Sequence, residues 1–97
     1  MENLIADLAG KWFGYAVAGG ALNLEIAENG TTQFNYDGDY FTGQTSLYGT
    51  QFELSSMDID MSGQYNADSE RLDGDLYDSR DPENPVNDRF TVYRVEE

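Results

Sequence analysis

Leu8-Ala9-Gly10-Lys11-Trp12-Phe13-Gly14-Tyr15-Ala16-Val17 is apolar on both faces, whereas nearly every later extended segment is apolar on only one. A strand of this kind needs cover on each side, so it is the expected seam of the fold. It holds the only Trp and the only Lys of an otherwise acidic, Asp- and Asn-rich chain.

Downstream of the break at Ala18-Gly19-Gly20, apolar residues recur at the period of two that marks a half-buried strand. Leu22, Leu24 and Ile26 alternate with Asn23, Glu25 and Ala27. Glu28-Asn29-Gly30 reads as a short hairpin loop, which sets Ile26 opposite Thr32 and Leu24 opposite Phe34. Asp37-Gly38 is a strong two-residue turn signal and sets Phe34 opposite Phe41. The fourth strand then points Phe41, Gly43, Thr45 and Leu47 inward. Tyr48-Gly49 reads as the next turn, placing Thr45 opposite Phe52 and Gly43 opposite Leu54. Ser56 and Met61 bracket an expected four-residue loop, Met57-Asp58-Ile59-Asp60, richer in apolar side chains than a turn needs and suited to touching a partner.

The clearest pairing follows. A turn centred on Asp68 and Ser69 sets Tyr65 against Leu72, Gly63 against Gly74 and Met61 against Leu76, and a one-residue slip would bury charge. Two glycines meeting across strands permit sharp coiling or a close approach of another group. Asp78 to Asp88 reads as a polar loop containing both prolines, and Arg89 to Val95 as the last strand. The fold class is therefore all-β: eight antiparallel strands in up-and-down order, closed into a barrel with the last strand against the first, because closure buries the one apolar face and removes both edges. Glu2 to Leu8 is long enough for a helical turn or two, with Leu4, Ile5 and Leu8 on one side as a plug.

Composition narrows the function classes. The length of 97 residues is that of a single domain, 1–97. With neither Cys nor His there is no disulfide or thiolate metal site, and the commonest general base and transition-metal ligand is missing; the expectation is a protein that is not an enzyme and needs no cofactor. A formal net charge of −14, with Lys11, Arg71, Arg80, Arg89 and Arg94 scattered, disfavours nucleic acid and anionic membranes as partners. Solubility accounts for such acidity, and mimicry of nucleic acid is the sharper alternative. Met1 to Asp7 lacks the basic and apolar regions of a signal peptide, which gives a cytoplasmic expectation.

Gly10-Lys11-Trp12 at the entry to the first strand resembles the Gly-x-Trp opening of the lipocalins and the wider calycin group, up-and-down barrels that include fatty-acid-binding proteins and avidins. The resemblance implies that Trp12 closes one barrel end and that Arg94, in Phe90-Thr91-Val92-Tyr93-Arg94, packs over its indole. The pattern from Met61-Ser62-Gly63 through Leu72-Asp73-Gly74 to Phe90-x-Val92-x-Arg94 is similar to small lipocalin-like bacterial domains. Shorter strands, no C-terminal helix and no possible disulfide depart from the lipocalin pattern.

Two candidate sites follow. The barrel interior either is filled by its own side chains or holds one small ligand. Gly14, Ala16, Gly43, Gly63 and Gly74 leave room for a cavity, and Tyr36, Phe41, Thr45, Phe52, Ser56 and Tyr65 would line it, with hydroxyls to orient an apolar or aromatic molecule. The outer face of the first and last strands would expose Phe13, Tyr15, Val17, Tyr93 and Val95 together, an apolar patch that a monomer rarely leaves bare. That patch gives the expectation of a homodimer. The leading functional expectation is a non-enzymatic, calycin-type barrel binding a small apolar or aromatic ligand; the alternative is an interaction or inhibitor module acting through its acidic loops or the seam patch. Calcium in the Asp78–Asp88 loop lacks the Asp-x-Asp-x-Asp-Gly spacing, and Asp58 with Asp60 as an acid–base pair lacks anything to perturb either carboxyl.

Overall fold

A computed structural model describes residues 4–95. The strands are β1 (Gly10–Ala16), β2 (Gly20–Ile26), β3 (Thr31–Tyr36), β4 (Asp39–Tyr48), β5 (Gln51–Ser56), β6 (Ile59–Asn66), β7 (Arg71–Asp78) and β8 (Val86–Arg94). Each pairs antiparallel with its neighbour in sequence, and β8 closes on β1, so the sheet is a closed eight-stranded barrel. β1 is the seam: Trp12 lies opposite Arg94 and Phe13 opposite Tyr93. Among the described residues no helix is long and apolar enough to cross a membrane.

The expected registers hold for β2–β3, β3–β4 and β6–β7, including Phe34 opposite Phe41 and Gly63 opposite Gly74. Two turns differ. β4 and β5 pair with Tyr48 opposite Gln51 and Thr45 opposite Leu54, so the turn is Gly49-Thr50 and the register is displaced by two residues. The reason is local. A turn on Tyr48-Gly49 would force a bulky Tyr to positive φ, whereas Gly49 as the first turn residue takes φ +64° without a Cβ penalty. A two-residue shift keeps every side chain on its face, so alternation alone does not detect it.

The β5–β6 connection is likewise a tight turn on Met57-Asp58, not a four-residue loop. Ser56 Oγ accepts from Ile59 N (3.1 Å) and donates to Ile59 O (2.6 Å), and Ile59 is fully buried. Only Met57 remains as an exposed apolar side chain of that turn. The final strand begins at Val86, three residues before the expected start, and β7 runs to Asp78. The connecting loop is correspondingly shorter.

A Cβ on Gly63 would fall within the carbonyl group of Asp73 and 2.8 Å from Gly74 Cα; one on Gly74 would meet the Ser62 carbonyl, and one on Gly14 the Thr91 carbonyl. These positions admit a neighbouring strand's backbone.

The core gathers the inward side chains of all eight strands. One end is closed by a 3-10 turn, Ile5–Leu8; Leu8 is fully buried and its carbonyl accepts from Trp12 Nε1 (2.8 Å), while Leu4 is exposed. Of the expected N-terminal plug, Glu2 and Asn3 lie outside the described residues.

Candidate functional site

Inside the barrel the six expected lining residues all engage other protein groups. The Thr32 hydroxyl donates to Gly30 O (2.9 Å), so the proton in its 2.6 Å contact with Thr45 comes from Thr45. Phe41 stacks on Phe34 at 5.2 Å between ring centroids, Phe52 meets Phe90 edge-on at 6.1 Å, and Tyr65 meets Trp12 edge-on at 6.2 Å. Ser56 clasps its turn, as above. Tyr36 Oη donates to Asp88 Oδ2 (2.8 Å). Tyr36 and Tyr65 stand at opposite ends of the barrel.

Each end carries an arginine. At the Trp12 end the Arg94 guanidinium lies 4.4 Å from the indole centroid and donates to the carbonyls of Ala9 (2.7 Å) and Asp7 (2.6 Å), with Glu70 at 3.3 Å. At the other end Arg80 donates to Asp37 (2.9 Å), Asp39 (2.6 Å) and the buried Asp78 (2.7 Å), and its guanidinium lies over Tyr36 and Phe41. The Arg80 hydrogen bonds hold the Asp78 carboxyl below the usual range.

Asp88 is the second buried carboxylate. Its Oδ1 accepts from Ala18 N (2.9 Å) and Arg89 N (2.7 Å), and its Oδ2 from Gly19 N (3.0 Å) and Tyr36 Oη. Burial pushes its acidity the opposite way, yet the donors win and leave Asp88 lowered. Burial first, then the Asp88 hydrogen bond and charge, raise Tyr36 well above an ordinary phenol. Sequence reading placed both carboxylates in a solvated loop. The signal was there: Asp88 extends the inward series Phe90, Val92, Arg94 backwards, and Asp78 extends Leu72, Gly74, Leu76 forwards. The cluster pins the β1–β2 and β7–β8 connections across the barrel mouth, and every oxygen of Asp88 is occupied by the protein.

The outer face of the seam carries Phe13, Tyr15, Val17, Tyr93 and Val95, all exposed, up to 85% for Val17. Phe13 and Tyr15 meet edge-on at 5.4 Å. Beside them runs an open groove of about 450 Å³ along the outside of β1, β2 and β3, lined by Lys11, Phe13, Asn23, Glu25, Gln33, Asn35, Tyr40 and Val95 with Trp12 and Leu24 beneath. Strand register builds it: Phe13, Asn23, Asn35 and Tyr40 stand in one row across four adjacent strands. Lys11, Glu25 and Gln33 form the next row.

Comparison with protein-family models, curated proteins and solved structures finds no match to this chain. The closed eight-stranded barrel is consistent with the calycin-like architecture implied by the Gly-x-Trp resemblance. Function must therefore be argued from the site itself.

Of the groove residues, Phe13 and Val95 figured in the sequence reading as interface residues. Asn23 appeared there only on the polar side of its strand. The cue was the repetition of amides at outward positions of adjacent strands, which becomes a site only once the registers are known.

Proposed function

We propose that this protein is a non-enzymatic binding module whose working surface is the outside of the sheet around β1. The groove between Phe13 and Tyr40 carries this reading, since it offers unengaged space beside exposed aromatic rings. Support comes also from the interior, where the expected lining residues are bonded or stacked on one another and the glycines are filled by strand backbone. The absence of His and Cys from the sequence supports a role without chemistry at the site.

The test is amide-resolved NMR of the protein titrated with small neutral fragments: phenol, cyclohexanol and acetamide. The expected outcome is shifts that cluster at Phe13, Asn23, Asn35 and Tyr40. Shifts confined to Thr45, Phe52 and Tyr65 would return the site to the barrel interior, and no clustered shifts at all would remove the groove as a site.

A homodimer through the same face is the second reading, favoured by the exposure of Tyr15, Val17, Tyr93 and Val95 beside Phe13. The two readings compete, because Phe13 and Val95 belong to both surfaces. A concentration series distinguishes them: a dimer would broaden the signals of this face as protein is added, with no fragment present.

A further inference from the structure

We infer that the groove takes a short neutral oligosaccharide, a proposal that rests on the outer-face reading above. Phe13 and Tyr40 stand at the two ends of a row whose middle members are Asn23 and Asn35, and Gln33 lines the groove from the next row. A side-chain amide presents two N–H donors and a carbonyl acceptor, and a hydroxyl presents one donor and two acceptor sites. A row of amides therefore matches a row of sugar hydroxyls in both senses, while the apolar C–H face of a pyranose ring lies against an aromatic face. Tyr40, 60% exposed, offers such a ring with a hydroxyl at its edge.

The dimensions of the groove agree. Phe13 and Tyr40 are separated by three strand intervals, about 14 Å along the sheet at roughly 4.8 Å each. This is a span for several linked rings and too long for one. The groove volume, about 450 Å³, lies inside the roughly 300–1,000 Å³ typical of small-ligand sites.

The charge of the groove differs from that of the molecule. The protein carries −14 overall, yet among the described residues the groove lining contains one cationic and one anionic residue, Lys11 and Glu25, opposite each other in the β1–β2 register. Its formal charges cancel. An anionic ligand would be repelled by the molecule as a whole, and a cationic one would be drawn to the Asp-rich remainder. A neutral polyhydroxylated ligand is the class that this surface selects. Closure of the barrel leaves no strand edge between β1 and β4 for a peptide to extend.

The experiment is NMR titration of the intact protein with maltotriose, cellotriose, chitotriose and mannotriose, following the side-chain amides of Asn23, Gln33 and Asn35. At least one trisaccharide should give saturable shifts at those amides, and Tyr40→Ala should weaken its binding tenfold or more. Tyr40 is exposed and pairs with Asn35 through the strand register, so Tyr40→Ala should keep the fold, which the variant's amide spectrum checks; Asn35→Ala is the second variant and should weaken binding likewise. The inference is overturned if no trisaccharide gives saturable shifts there, if neither substitution changes the affinity, or if added protein alone perturbs the groove, which would make a second copy its occupant. Should fragments map to the groove while every sugar fails, the ligand class is wrong and the binding surface stands; should fragments miss the groove, both fall.

Discussion

Asp88 takes its two oxygens into the barrel mouth and fills both with donors from three different segments: Ala18 and Gly19 after β1, Tyr36 at the end of β3, and its neighbour Arg89. Hydrogen bonds to a charged group contribute about 1.5–3 kcal/mol each when one partner is deleted, so Tyr36→Phe should destabilise by about that amount. Asp88→Asn should cost at least as much, because whichever way the amide turns, its N–H₂ meets a backbone N–H. Chemical denaturation of both variants against the wild type measures this, and an unchanged midpoint for Asp88→Asn would refute the role assigned to Asp88. The pH dependence has a defined sign. Asp78 and Asp88 are more acidic folded than unfolded, so their contribution is present above the unfolded value of about 3.9 and disappears as pH falls through their lower folded values. Tyr36 is less acidic folded; its contribution is complete below an unfolded value of about 10 and is lost as pH rises from there. Melting temperature should decline at both limits, and Tyr36→Phe should flatten the alkaline limb and, by removing one of the Asp88 donors, also weaken part of the acid limb.

In the β6–β7 hairpin, Gly63 and Gly74 face each other, and the atoms a Cβ would strike are main-chain atoms of the partner strand. Backbone cannot rotate aside as a side chain can, so Gly74→Ala should separate or distort the pair. The expected cost is about 2–4 kcal/mol, in the range of overpacked core sites. Gly38, by contrast, has open space around its missing Cβ but sits at φ +82°, and Gly38→Ala should cost only about 1 kcal/mol through backbone strain. Equal thermal shifts for the two variants would refute the distinction. Elements of this kind were legible before any coordinates, because Tyr65 to Leu72 and Phe34 to Phe41 obey an alternation that a one-residue slip would ruin. The β4–β5 turn was not, since a two-residue slip keeps Thr45, Leu47, Phe52 and Leu54 inward and only the φ preference of Gly49 decides between the registers. Ile59, Asp78 and Asp88 were read as loop for a related reason: each sits at a strand end, where an inward series has too few members to outvote local turn chemistry. The groove residues Asn23, Asn35 and Tyr40 each look like ordinary solvent-facing positions, and their meeting depends on three registers at once.

Across the whole molecule the charges are lopsided, with 19 carboxylates against 5 cationic residues. Two opposing effects follow. Arg80 and Arg94 gather carboxylates into local attraction at the two barrel ends, while the remaining acidic side chains repel one another over a surface with few cations to interleave. Salt screens both. The Arg80 contacts include Asp78, which is buried and poorly accessible to ions, whereas the repulsion acts between exposed groups separated by distances comparable with the Debye length, about 10 Å at 0.1 M. Screening therefore removes more repulsion than attraction. Raising sodium chloride from about 10 mM to about 0.5 M, where the Debye length shrinks to a few ångströms, should increase the melting temperature by several degrees, and Arg80→Ala should retain that salt response from a lower starting point because the repulsion persists without the arginine. A melting temperature that falls with salt would mean that ion pairs at the barrel ends dominate stability, and would reverse the ranking of these two effects.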